Sequence, residues 1–367
     1  RVRALDPSRP VTFAGNNFLD NGTRGVCWQQ VDLEGRNYGW NAYDAEHARR
    51  PEHPALSSEF SALRETRDTY CADGRYSVAA PRDAAICTTT PTDGGLAKNL
   101  RDLAVHWKAI AERPFMAGGF LWALMDFRGE NGWPRLHSDF GVLDLCGFPK
   151  DSAHAMRAWW RPETAQVHLL PHWTWPDHEG LIQVRAVTNC EEIELRVNGI
   201  SRGRQDTREY GLTEWPVMYA PGRIEAIGYR NGVAVACDTK RTSGAPARIE
   251  LMADRKTLIG NGRDVVCVAA SLVDADGTVV PHDDRVLTWR ARGAGRLLGL
   301  GNGDPCDGTP DTSPTRGTFR GRCLAVCEAA PSEGILEIEA ECDGMTPATI
   351  RVSVLTIDSA SHSGSCT

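Results

Sequence analysis

Apolar and polar positions in the first 160 residues alternate between strand-like runs and helix-like spacing. Short apolar runs predict strands, and in residues 96–113 apolar side chains recur every three or four positions, which is typical of an amphipathic helix. Strands separated by helices indicate a parallel sheet. We predict strands at residues 9–15, 26–31, 55–58 and 115–127, and helices at residues 42–50 and 96–113.

Beyond about residue 161 the pattern changes to short strands with period-two alternation. Asn-Gly pairs at 198–199 and 231–232 are strong signals for two-residue hairpins, so this part of the chain predicts antiparallel β-sandwiches. We expect a sandwich over residues 161–243 with strands at 182–187, 193–197, 223–229 and 233–235, and a second over residues 244–357 with strands at 249–252, 265–273, 286–290 and 336–341.

Two stretches lack a strand pattern. Residues 301–318 are rich in Gly, Asp, Pro and Thr, which predicts a long loop. The tail, residues 358–367, is rich in Ser and is expected to be disordered.

The composition narrows the classes of function. A net charge of −7 and a pI near 5.8 argue against nucleic acid as a partner, because phosphate binding needs a basic face. No run of 18 apolar residues is present, so the sequence predicts no membrane-spanning helix.

The twelve cysteines form no Cys-x-x-Cys pair, and several lie in strand-like runs where a small buried hydrophobe fits. Free structural thiols favour a reducing compartment and leave cytoplasm and periplasm open.

Five motifs follow one another along the first half of the chain. They are Asp32-Leu-Glu-Gly-Arg-Asn-Tyr38, then Tyr43 with His47, then Ser58-Glu59, then Gly119-Phe-Leu-Trp122, then the Asp-Phe-Gly-Val-Leu-Asp-Leu-Cys-Gly-Phe-Pro-Lys-Asp run at 139–151. In this order they resemble the end of the catalytic barrel of glycoside hydrolase family 2, the family of β-galactosidases and β-glucuronidases. Residues 167–175, 194–199 and 299–305 resemble the two sandwich domains that follow the barrel in one bacterial β-galactosidase-like branch.

The resemblance implies the fold class. Residues 1–160 would be the last four strands of a (β/α)8 TIM barrel, followed by two immunoglobulin-like sandwiches. Four strands cannot close such a barrel, so the first four are expected from an upstream part of the same enzyme. In this family the acid/base is a Glu preceded by Asn, and the chain contains no Asn-Glu dipeptide. We therefore expect the acid/base upstream of this chain, whether by truncation, an incomplete gene or a split subunit.

The resemblance also assigns roles at the strand ends. Glu59 matches the nucleophile of a retaining glycosidase, which works with a second carboxyl group acting as acid and then base. Tyr38 matches a tyrosine whose hydroxyl would hydrogen-bond that carboxylate and keep it ionised. Trp122 matches an indole that faces the sugar, often before a non-proline cis peptide bond. The alternatives are a surface Glu, a rim aromatic and core packing.

A loop leaves the same strand end as Trp122. Its side chains are candidates to contact sugar hydroxyls or the aglycone, and Glu130 is also the second carboxylate to test. The substrate-binding candidates in this loop are Arg128, Glu130, Asn131 and Trp133.

The resemblance implies a retaining exo-β-glycosidase. The preferred assignment is a β-galactosidase, which hydrolyses terminal non-reducing β-galactosides. A β-glucuronidase is the alternative, which Arg24 and Arg128 keep open because its substrate carboxylate needs a basic site. An alternative of another class is a non-catalytic carbohydrate-binding or spacer fragment, whose aromatic residues Trp173, Trp175 and Trp215 could stack on sugars. No cofactor or metal ligand set is identified, although relatives use magnesium or sodium, and a homo-oligomer is left open.

Overall fold

The computed structural model describes residues 1–16, 30–70, 95–130, 135–176 and 178–356. In chain order it contains a four-stranded parallel sheet with helices and then β-sheets that pack as two sandwiches, in which every strand pair is antiparallel except Thr257–Ile259 with Ala348–Leu355. This order agrees with the predicted βα series followed by sandwiches. None of the described helices is both long enough and apolar enough to cross a membrane.

The parallel sheet has its strands in sequence order, from β1 to β4. The strands are β1 (Ala14–Gly15), β2 (Glu34–Asn37), β3 (Ala55–Ser61) and β4 (Met116–Trp122); the helices are α1 (Val2–Leu5), α2 (Tyr43–Arg49), α3 (Gly95–Ala111) and α4 (Asp151–Trp160), with a 3-10 turn at Trp40–Ala42. The predicted strand at 55–58 is confirmed as part of β3, and both predicted helices are confirmed as α2 and α3. The predicted strand at 115–127 is confirmed only in part, because β4 ends at Trp122.

The first half of this sheet differs from the prediction. Residues 26–29 of the predicted second strand lie outside the described residues, residues 30–31 form no strand, and β1 is shorter than residues 9–15. The strand beside β3 is instead β2, all four residues of which are buried. The charged residues of β2 do not show the apolar pattern of a buried strand. They can be buried because the side chains of Arg36 and Glu34, both 2% exposed, form an ion pair with each other.

The core of this unit lies around helices α3 and α4. Apolar residues three or four positions apart give each helix one apolar face. Helix α3 packs on β3 and β4, whereas α4 packs on the strands Val167–Leu170 and Leu181–Thr188 that follow it. The main contributors are Leu100, Leu103 and Ile110 from α3, Phe60 and Met116 from the sheet, and Ala155, Met156 and Trp159 from α4.

The first sandwich packs a three-stranded sheet against a four-stranded sheet. The strands are β5 (Val167–Leu170), β6 (Leu181–Thr188), β7 (Glu192–Val197), β8 (Ile200–Asp206), β9 (Leu212–Met218), β10 (Arg223–Arg230) and β11 (Val233–Arg241), in the orders β5-β6-β9 and β11-β10-β7-β8. Asn198 and Asn231 adopt left-handed φ angles of 48° and 49°, as the predicted Asn-Gly hairpins require. Trp173 and Trp215 are buried in this core, which removes them as sugar-stacking surfaces.

The second sandwich pairs a four-stranded with a five-stranded sheet. Its strands are β12 (Arg248–Ala253), β13 (Thr257–Ile259), β14 (Val265–Val273), β15 (Val286–Gly293), β16 (Gly295–Gly301), β17 (Thr315–Gly317), β18 (Arg322–Ala329), β19 (Gly334–Glu341) and β20 (Ala348–Leu355). The orders are β12-β14-β18-β16 and β13-β20-β19-β15-β17. The predicted loop at 301–318 is corrected, because β17 lies inside it and pairs with β15. The predicted disordered tail lies outside the described residues.

Candidate active site

Three neighbouring strands of the parallel sheet end at the same edge and carry the three predicted site residues. Tyr38 follows β2, Glu59 lies near the end of β3, and Trp122 ends β4. Backbone hydrogen bonds hold these ends in register, from Tyr38 N to Glu59 O at 2.7 Å and from Ala62 N to Trp122 O at 3.1 Å. Parallel strands place functional side chains at their carboxyl ends in this way.

Tyr38 is directed at Glu59 by the local backbone. Tyr38 and Gly39 both have left-handed φ angles, 55° and 59°, so the chain turns sharply where β2 ends. Burial of Tyr38, hydrogen bonding with the Glu59 carboxylate and the negative charges of Glu59 and Glu130 raise the pKa of Tyr38 well above its usual value. Tyr38 therefore stays protonated throughout the physiological pH range, with its O–H available to Glu59.

Trp122 lies next to Glu59 along this edge of the sheet. The Trp122-Ala123 peptide bond is cis, as the resemblance to the family implied. The half-buried indole packs edge-to-face on Phe127, with ring centroids 5.7 Å apart. Ala123 is held by hydrogen bonds from its N–H to Phe140 O at 3.1 Å and from Val142 N to its carbonyl at 3.0 Å. The indole thus has a fixed orientation beside the strand end that bears Glu59.

A row of polar side chains beside Glu59 was not predicted. The Ser58 hydroxyl donates to Asn37 Oδ1 at 2.7 Å, and Asn37 Nδ2 donates to Asn16 Oδ1 at 2.6 Å. Ser58 lies within β3, Asn37 ends β2 and Asn16 directly follows β1, so the row runs across three neighbouring strands. The sequence signal that could have located this row is the pair Asn16 and Asn37, each at the end of a short strand. The polar sequence of β2 made that strand hard to recognise.

The loop after β4 is anchored at its base. Asp126 accepts hydrogen bonds from Lys150 Nζ at 2.7 Å and from Gly141 N at 2.8 Å, both in buried surroundings. Farther along, Glu130 is exposed with a φ of 50°, close enough for its charge to act on Tyr38. The structure therefore brings Glu130 toward the same edge as Glu59.

The other loop candidates are placed differently. The guanidinium of Arg128 forms an ion pair with Asp311 of the second sandwich, rather than projecting freely over the strand ends. Asn131 and Trp133 lie outside the described residues, as does Arg24. Among the described residues, no three His, Cys, Asp or Glu side chains are grouped closely enough to hold a metal ion.

Two domain models match the sandwich part of the chain. The C-terminal domain 5 of glycoside hydrolase family 2 matches residues 249–351, and a domain of unknown function matches residues 179–236. These matches cover most of the second sandwich and part of the first.

Relatives extend over the parallel sheet as well. A β-galactosidase of Bacteroides ovatus is 29% identical and aligns with 96% of this chain and 42% of its own length. A putative β-glucuronidase of Formosa agariphila is 30% identical over 62% of this chain and 23% of its own length. The crystal structure of a β-glycosidase from Bacteroides vulgatus superposes with a TM-score of 0.81 at 25% identity, covering 96% of this chain and 48% of that one.

The chain spans less than half the length of each of these relatives. Within that span the likeness runs continuously from the strands that carry Tyr38, Glu59 and Trp122 to the last sandwich. The domain match, the relatives and the ordered strand-end motifs agree, and together they support the assignment of this chain to glycoside hydrolase family 2.

Proposed function

We propose that this chain is the nucleophile-bearing part of a retaining exo-β-glycosidase, with Glu59 as the nucleophile. The observation that carries the proposal is the position of Tyr38 beside Glu59 at the carboxyl edge of a parallel sheet, where Tyr38 N donates to Glu59 O at 2.7 Å. A surface glutamate without a catalytic role would not require a tyrosine hydroxyl directed at it by a left-handed backbone conformation. In this proposal β1 to β4 are the last four strands of a (β/α)8 barrel.

Each residue has one role in the proposed reaction. The Glu59 carboxylate attacks the anomeric carbon and forms a covalent glycosyl ester, while a second carboxyl group protonates the departing oxygen. Water then cleaves the ester, and the same second group takes its proton. Tyr38 orients one carboxylate oxygen of Glu59, and Trp122 offers an apolar ring face to the sugar.

The second carboxyl group is proposed to come from outside these 367 residues. The support is that the chain contains no Asn-Glu dipeptide, the sequence that carries the acid/base in glycoside hydrolase family 2. Glu130, which is exposed and acts electrostatically on Tyr38, is the competing source within the chain.

For the sugar, a β-galactoside is favoured over a β-glucuronide. A glucuronide carboxylate needs a cation at the site, and the guanidinium of Arg128 is already paired with Asp311. The Bacteroides ovatus relative, which aligns with 96% of this chain, is named a β-galactosidase. The glucuronide remains the second candidate, because the Formosa agariphila relative bears that name.

The test is hydrolysis of aryl β-galactoside, β-glucuronide and β-mannoside by the 367-residue chain and by the same chain joined to its upstream coding sequence. We expect activity on the galactoside in the joined protein alone, lost on Glu59→Gln and kept on Glu52→Gln, an exposed control. Activity in the joined protein that survives Glu59→Gln would refute the nucleophile. Activity in the 367-residue chain alone, lost on Glu130→Gln, would place both carboxyl groups within it.

A further inference from the structure

A cavity of about 450 Å³ lies where the parallel-sheet unit meets both sandwiches. Asp68, Tyr70 and Asp151 line it from the first unit, Lys240 from the first sandwich, and Arg320 and Arg322 from the second. Its volume falls within the few hundred Å³ typical of small-molecule sites. Neither Glu59 nor Trp122 lines it, so it is separate from the candidate active site.

The two arginines are presented by a rigid turn. Phe319 and Arg322 exchange backbone hydrogen bonds at 2.8 and 3.1 Å, with Arg320 and Gly321 between them at φ angles of 52° and 71°. Leu272 N also donates to Gly321 O at 2.8 Å, which fixes the turn to β14. Both guanidinium groups therefore reach the cavity from a preorganised hairpin.

Among the residues that the structure describes, most of the N–H donors on these two arginines have no hydrogen-bond acceptor. The Nε of Arg320 donates to Thr69 Oγ1 at 3.2 Å, and the guanidinium of Arg322 lies 5.8 Å from the centre of the Phe148 ring. Within the described part of the chain, neither guanidinium forms an ion pair with a carboxylate within 4.0 Å. Each guanidinium carries five N–H donors, so the cavity wall presents several that are unused.

The nearby carboxylates are already engaged or exposed. Asp68 lies 3.4 Å from Arg67, and Asp151 accepts hydrogen bonds from Tyr70 at 2.8 Å and from His168 at 2.6 Å. Asp276, the remaining carboxylate of the lining, is exposed. None of these three carboxylates is therefore a direct ion-pair partner of either guanidinium group.

Burial of these two guanidinium groups has an energetic cost. Removal from water lowers the pKa of both Arg320 and Arg322, whereas the pKa of Arg67, which is fully buried against Asp144, is raised. The carboxylates that act on these two groups, Asp68 among them, only partly offset that cost. An anion in direct contact with both guanidinium groups would offset the remainder.

We propose that this cavity binds a small oxyanion, a phosphate or carboxylate group, between the guanidinium groups of Arg320 and Arg322. Two sources carry that chemistry: free phosphate and the carboxylate of an acidic sugar. Tyr70 and His172, which pack edge to face at 5.4 Å in the lining, would contact a sugar ring attached to the anion.

The test is isothermal titration of the 367-residue chain with inorganic phosphate, glucuronate and, as a neutral comparison, glucose. We expect saturable binding at one site for phosphate, glucuronate or both, and none for glucose. Binding of phosphate alone identifies free phosphate as the source, and binding of glucuronate alone identifies an acidic sugar. Absence of saturable binding by both anions overturns the proposal.

Variants assign the binding to the two arginines. Arg322→Gln and Arg320→Gln are each expected to weaken anion binding by about tenfold or more, the effect of losing one charge-assisted contact. Arg322→Lys should retain part of the affinity, and Arg263→Gln, an exposed arginine outside the lining, should retain all of it. Circular dichroism confirms that each variant is folded. Unchanged binding in both glutamine variants also overturns the proposal.

Discussion

The Nε of Arg67 donates to Oδ2 of Asp144 at 2.7 Å, and the two side chains are 0% and 1% exposed. The same guanidinium donates from Nη2 to the carbonyls of Asn302 at 3.0 Å and Phe319 at 2.9 Å. Arg67 and Asp144 belong to the parallel-sheet unit, whereas the two carbonyls belong to the second sandwich. One buried cation therefore joins parts of the chain more than 200 residues apart.

Loss of that cation should destabilise the protein strongly. Arg67→Gln leaves the Asp144 carboxylate buried without its counter-charge and leaves two carbonyls without donors, so we expect a loss of about 3–5 kcal/mol in the free energy of unfolding. Urea unfolding followed by tryptophan fluorescence measures it. Arg351→Gln is the matched control, because Arg351 is 73% exposed and its ion pair with Glu337 should contribute less than about 1 kcal/mol. Similar losses in both variants would contradict this account.

The sequence predicted the elements that follow simple periodicity. Helix α3 and the alternating strands β14 and β19 bury apolar residues on one face, and each was located from spacing alone. Strand β2 was missed because its charged residues are satisfied by each other inside the core, an arrangement that depends on tertiary contacts. The same reasoning applies to β17, a three-residue strand that pairs only because β15 lies beside it.

The site was predicted in part. Tyr38, Glu59 and Trp122 were located from motifs, and the structure places them on adjacent strand ends. The partner of Arg128 could not be predicted, because Asp311 is 183 residues away in the chain. The arginine cavity was also missed, since its lining comes from three units whose packing no local pattern encodes.

Tyr38 should matter to catalysis through a single hydrogen bond. In the catalytically complete protein, Tyr38→Phe removes the donor to the Glu59 carboxylate, and we expect kcat/KM for the aryl β-galactoside to fall by about 10- to 100-fold. The control is Tyr43→Phe, a buried tyrosine on whose hydroxyl Ser57 rather than Glu59 acts. That variant should keep the parent activity. Equal activity of Tyr38→Phe and the parent would show that the hydroxyl does not serve the reaction.

The reactivity of each cysteine thiol should decrease as its burial increases. Among the described cysteines, Cys237 is exposed, whereas Cys323 and Cys327 are 0% exposed and burial raises the pKa of both thiols to about 12. We expect iodoacetamide to label Cys237 in the native protein and to label the other two only after unfolding. Peptide mapping by mass spectrometry distinguishes the positions. Rapid native labelling of Cys323 would mean that the second sandwich opens readily, and Cys237→Ser confirms the assignment of the native signal.

Glu65 should make stability depend on pH. Its buried carboxyl accepts hydrogen bonds from Asp151 N at 2.6 Å and Ser152 N at 3.3 Å, at the start of α4. Burial and the adjacent Asp151 charge raise the pKa of Glu65 to about 7, above the unfolded value near 4.5. A raised pKa means that the contribution of Glu65 to stability is fully present below about pH 4.5 and is lost as pH rises through about 7.

Glu65→Gln isolates this effect because glutamine keeps the acceptor oxygen and does not ionise. Relative to the parent, the variant should gain on the order of 1–3 kcal/mol in the free energy of unfolding between pH 5 and pH 8, as the parent is forced to ionise a buried group. Urea unfolding at both pH values measures the difference, with Glu112→Gln at an exposed position of the Lys108 ion pair as the control for lost charge. A difference between Glu65→Gln and parent that stays constant with pH would mean that the folded protein already stabilises the Glu65 carboxylate, through the two N–H donors of α4, as well as water does.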